Sequence, residues 1–144
     1  MRRTLVTALA AVLLTGCGGD ETSGYCQSVR EHQVELSDIA ASNEPGAIFG
    51  ALDAYRDLQG EAPRDLRDEW TQVIGRLEAL QSTLDEAGVD PAAYDPRTTL
   101  EALPADQRAA IRGAARDLGD RATVGAMAGI EQQALDVCKM PLSQ

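Results

Sequence analysis

Cys17, Cys26, Cys138 and His32 carry most of the reactive chemistry open to this chain. A thiol can take a lipid, pair in a disulfide, ligate a metal or attack a substrate, and an imidazole can act as a general base. Catalysis of the Ser-His-Asp or Cys-His type would have to use His32, the residue after Glu31, but no Gly-x-Ser-x-Gly turn accompanies it. We read His32 as a surface histidine. The cysteines are not clustered, and the Glu-x-x-His pairs of di-iron bundles are missing, so no metal site is expected. Asp68/Glu69 and Asp85/Glu86 are adjacent pairs that splay apart on a helix, and they read as solvated faces and not as an acid–base pair. Asp90 and Asp95 could hold a weak Ca²⁺, but the EF-hand spacing with its glycine is absent. Gly18-Gly19 is no phosphate loop, and Met127 and Met140 lack a haem or copper context. No catalytic residue, cofactor or metal is expected.

The N-terminus gives Cys17 a different fate from the other two cysteines. Arg2 and Arg3 are followed by the uncharged apolar stretch Thr4–Leu14. That stretch is too short for a membrane span of about 20 residues, but it fits the roughly 7–15 residues of a signal-peptide core. Leu14-Thr15-Gly16-Cys17 then stands where an ordinary signal would carry an A-x-A-like site. It resembles the bacterial lipoprotein lipobox. The resemblance implies diacylglycerol (and palmitate-type acyl) attachment to Cys17 and cleavage before it, with residues 1–16 the signal peptide and 17–24 a lipidated tether. Acyl chains contribute about 0.8 kcal/mol per buried CH₂, and two chains anchor stably where one is marginal. Arg2-Arg3-Thr4-Leu5-Val6 echoes a twin-arginine signal without its usual flanks, so the general secretory route is preferred.

With Cys17 acylated, Cys26 and Cys138 remain. In an exported domain an even number of cysteines reads as a disulfide framework, and two allow one pairing; the alternative is two buried free thiols. Closing a loop of this length contributes about 4.7 kcal/mol in the chain-entropy model. Arg2 and Arg3 are the only charges in residues 1–16, so cleavage takes the formal charge from −10 to −12. So acidic a body is repelled by nucleic acid and by anionic headgroups; the lipid must supply the membrane attachment. The chain has 144 residues, enough beyond the signal for one domain, 25–144, with a real core.

The elements that would position these residues are helical. Leu66, Trp70, Val73, Leu77, Leu80, Leu84 and Ala87 step by four and three through Pro63–Ala87. This a/d stripe predicts a helix started by Pro63, stopped by Gly88 and packed in a bundle. Cys26, Val29, Gln33, Leu36 and Ala40 share one face of a helix over about 25–41, with Asp20–Gly24 as polar tether before it. A second helix, restarted by Pro45, carries Ile48, Leu52 and Tyr55 to about Gly60. Residues 90–103, punctuated by two Asp-Pro pairs, read as a loop with short helical turns. Pro104 begins a helix through Ile111, Ala114, Ala115 and Leu118, and the last runs from about 120 to 139 with Met127, Ile130, Ala134, Val137 and Cys138 inward. Gly113, Gly119, Gly125 and Gly129 are read as allowing close packing beside a large residue such as Trp70. The expected fold is all-α: an antiparallel bundle of four to five helices, first and last joined by a disulfide at one end.

Tyr25-Cys26, then Ala62-Pro63 with Trp70 a few residues on, then Cys138, resembles a pattern found in small helical actinobacterial secreted proteins and lipoproteins. The resemblance implies the helical fold and the disulfide and carries no activity. Two function classes follow. One is a non-enzymatic binding or interaction module on the extracytoplasmic face of the cell membrane, meeting an envelope protein or an apolar ligand. The other is an envelope enzyme with an unrecognised site. The few aromatic residues offer little to stack on sugars.

Overall fold

The computed structural model describes residues 20–144, so residues 1–19, with the lipobox and Cys17, lie outside it. Five α-helices follow: α1 (Asp20–Ala41), α2 (Leu52–Glu61), α3 (Arg67–Glu86), α4 (Ala105–Leu118) and α5 (Arg121–Gln133). Among the described residues there is no strand. Short 3₁₀ turns at Pro45–Ala51, Arg64–Leu66, Pro91–Ala93 and Thr99–Ala102 lead into helices or punctuate the long connection, and α5 widens into a π turn at Ala134–Cys138.

Local chemistry sets these boundaries. The residues before Pro45, Pro63 and Pro104 are extended or lie just outside a helix, because the proline ring disfavours helical backbone in its predecessor. Gly88 adopts φ 72°, and the N–H groups of Gly88 and Val89 donate to the carbonyls of Asp85 and Leu84, a Schellman stop for α3. Asp120 caps α5: its carboxylate accepts the Thr123 N–H at 2.7 Å, which holds that carboxyl below the usual range. α1 begins at Asp20, so Asp20–Gly24 is its first turns and not an extended tether.

The a/d stripe of α3 is the axis of the core. Leu66, Trp70, Val73, Leu77, Leu80 and Leu84 are all buried, joined by Ile74 one position off the stripe. α1 and α2 pack antiparallel, with Gly24 opposite Glu61. α4 and α5 pack mainly on α3 and scarcely on each other. Arg76 faces Asp117 at 3.9 Å, Gln72 Nε2 donates to Thr123 Oγ1 at 3.0 Å, and Gly129 faces the stem of Glu69. Rising numbers in α4–α5 thus meet falling numbers in α3, and the two short helices form one bent antiparallel arm. Five helices make four arms. That even count returns the end of α5 to the start of α1, where Cys26 and Cys138 form the disulfide with Cα atoms 5.1 Å apart.

Four expectations need correction. Ala40 is exposed, and Ile39 takes the inward place at that end of α1. Val137 is 37% exposed because the π turn advances fewer degrees per residue, which carries Val137 off the Ala134 face while Cys138 stays near it. The helix glycines do not pack against Trp70: a Cβ at Gly113 or Gly125 would meet open space, Gly119 sits over its own helix end, and Gly129 faces Glu69. Glu69 is no solvated side chain, since it is half-buried with Oε2 shielded from water and without a partner.

Candidate functional site

Three places gather side chains that could do something, and the disulfide end is the first. Tyr25, beside Cys26, is fully buried, and so is Trp70, whose ring lies 5.3 Å from that of Tyr55. The Tyr25 hydroxyl and the Trp70 indole N–H are both out of water without a well-formed hydrogen bond. Burial pushes the Tyr25 hydroxyl up to about 12, an effect only partly offset by the nearby indole N–H. Cys26 and Cys138 meet here as expected, and the bond leaves neither sulfur free as nucleophile or ligand. Cys17, the expected lipid attachment, lies outside the described residues.

The second place is a polar cleft between α1 and α2 of about 480 Å³, holding Ser28, Glu31, His32, Arg56, Asp57 and Glu61. His32 sits one-fifth exposed, with Nδ1 3.4 Å from Glu35 and Nε2 3.4 Å from Asp57. Ser28 lies one turn before it, but both imidazole nitrogens face carboxylates, and this geometry presents neither to a hydroxyl. Across the cleft wall Arg56 pairs with Asp53 at 2.8 Å and with Glu78 of α3 at 2.9 Å; the Glu78 contact is the main reason its guanidinium is held above its ordinary range. Arg56 thus links α2 to α3 by an ion pair, and His32 and Asp57 face each other between α1 and α2. Asp90 and Asp95 spend their carboxylates locally, accepting the N–H groups of Ala92 and Arg97. Among the described residues no group of three or more metal-ligating side chains converges.

The third place is an apolar groove of about 380 Å³ where the end of α1, the Pro45–Ala51 turn, α2 and α5 meet. Leu36, Ile39, Ile48, Tyr55 and Met127 line it, as do Glu44 and Glu131. Burial, reinforced by the Glu131 carboxylate, raises the Tyr55 hydroxyl above its ordinary value. One wall is the segment after the disulfide. Lys139 takes left-handed backbone (φ 58°) and turns the chain back along α1. Gln33 Nε2 then donates to the Pro141 carbonyl at 2.7 Å, and the Gln144 N–H donates to Ser37 Oγ at 3.0 Å. Leu142, 1% exposed, fills the space between. Sequence reasoning missed this segment. Its signals were a glutamine on the apolar face of α1 and a lone leucine in a polar tail.

No helix among the described residues is long and apolar enough to cross a membrane. Compared with known proteins, the chain matches no family model, no curated protein and no solved structure.

Proposed function

We propose that this chain is a bacterial lipoprotein, anchored through acylated Cys17 to the extracytoplasmic face of the cell membrane, whose helical domain is a non-enzymatic binding module for an envelope protein. The observation that carries the reading is the Cys26–Cys138 disulfide, since such bonds persist in oxidising compartments outside the cytoplasm. The lipobox supports it from the sequence side. Only two residues, Gly18 and Gly19, lie between Cys17 and Asp20, the first residue of α1, a reach of roughly 10 Å at most. An anchor at Cys17 therefore holds the disulfide end towards the bilayer and turns the opposite end, with the Pro45–Ala51 turn and the Asp90–Leu103 loop, towards partners.

The test is metabolic labelling of cells with an alkyne-bearing fatty acid, for wild type and Cys17→Ala. Wild type should be labelled and fractionate with membranes, and the variant should lose the label and be released or mis-processed. Unchanged labelling and fractionation of Cys17→Ala would refute the anchor. Partners should be sought by crosslinking on intact cells. Lys139 is the only lysine, so carboxylate-reactive or photo-activated reagents suit this chain better than amine-reactive ones.

A further inference from the structure

We infer that the groove beside the C-terminal tail is a peptide-binding site, that the tail segment Lys139–Gln144 is seated along one wall of it as a resident peptide, and that in trans it takes an extended segment of a partner protein bearing a leucine anchor and a basic residue. The inference rests on the reading of the domain as a binding module and names where and what it binds.

The tail is held as a peptide ligand is held. It belongs to no helix, it buries Leu142 fully and Met140 partly, and its backbone is read by two side chains of α1, Gln33 and Ser37, more than 100 residues away in sequence. Main-chain hydrogen bonds with a pocket for one apolar side chain are how extended peptides are recognised. Beside Leu142 the groove is half-open space lined by Ile39, Ile48 and Met127, room that the tail does not fill. Its lining includes Glu44 and Glu131, neither in an ion pair with a cation among the described residues. The tail's one cationic side chain does not reach them, for Lys139 lies at its other end with Nζ on the Asp136 carbonyl. A partner segment that places a cation past its leucine gains what the tail cannot. The disulfide just before the tail keeps the tail at an effective concentration on the order of millimolar, so the resident segment needs little intrinsic affinity to hold its place.

The probe is a fluorescein-labelled peptide with the sequence of Lys139–Gln144 followed by two arginines, measured by anisotropy on the disulfide-bonded chain. Leu142→Asp, which cannot seat its own tail, should bind it saturably. Wild type should bind at least tenfold more weakly because its tail competes, and replacing the peptide's leucine by alanine should cost tenfold or more. Glu44→Gln with Glu131→Gln should remove the advantage of the arginines over an uncharged extension. A folded Leu142→Asp chain that shows no saturable binding, or that binds the alanine peptide equally, would overturn the proposal. Should Leu142→Asp not fold, the wild-type chain decides by NMR. Millimolar peptide should move the Leu142 methyl signals to those of a solvent-exposed leucine, and no movement overturns the proposal. Such a failure would leave the anchored-module reading standing, because lipid labelling tests that separately.

Discussion

Tyr25 keeps a hydroxyl where no water reaches it and no partner is well placed. A buried polar group without a hydrogen bond costs stability, so Tyr25→Phe should leave the unfolding free energy unchanged or raise it by up to about 1 kcal/mol. A loss larger than about 1 kcal/mol in denaturant unfolding would show that the hydroxyl is bonded after all. The same burial makes the domain alkali-sensitive. The folded pKa of about 12 lies above the ordinary value of 10.0, so the neutral phenol's contribution is complete below pH 10 and lost as pH rises towards 12. Phenolate absorbance should therefore develop late, together with loss of helical signal, and Tyr25→Phe should delay that loss. Trp70→Ala empties the centre of the α3 stripe and should cost about 3–5 kcal/mol. Trp70 was legible from spacing alone, as one of a row of apolar residues on a 3.5-residue repeat. Tyr25 and Leu142 were not, because neither stands in a long periodic row and each is buried against residues more than 40 positions away along the chain.

At the scale of elements, the connections are more demanding than the helices. Gly46 lies where the Pro45–Ala51 turn crosses the Pro91–Ala93 turn, and a Cβ there would run into the carbonyl oxygens of Pro91 and Ala92. Neither backbone can yield easily, so Gly46→Ala should destabilise by about 1–3 kcal/mol. Gly113→Ala and Gly125→Ala meet open space within helices and should instead stabilise by about 0.5–1 kcal/mol each. Thermal unfolding of the three variants checks the contrast, and Gly46→Ala more stable than wild type would contradict it. Helix existence, the proline starts and the Gly88 stop were readable because each is a local property of a few residues. The bend that makes α4 and α5 one arm was not. It involves a contact of Gln72 with Thr123 across 51 residues, and the π turn that swings Val137 outward ends at Cys138, whose disulfide partner lies 112 residues away.

For the whole molecule, four arms bring the chain ends together and the disulfide closes them over a separation of 112 residues. Replacing both Cys26 and Cys138 by alanine should cost about 2–5 kcal/mol, and under the groove proposal it should also free the tail. The formal net charge of −10 repels anionic lipid, so membrane attachment under the proposed function rests on the acyl chains. One measurement tests that account most directly: the intact mass of protein extracted from the cell envelope, alkylated before and after reduction. The account predicts a chain beginning at a diacylated Cys17, no alkylation before reduction and two alkyl groups after it. A mass that retains residues 1–16, an unmodified Cys17, or alkylation without reduction would contradict it.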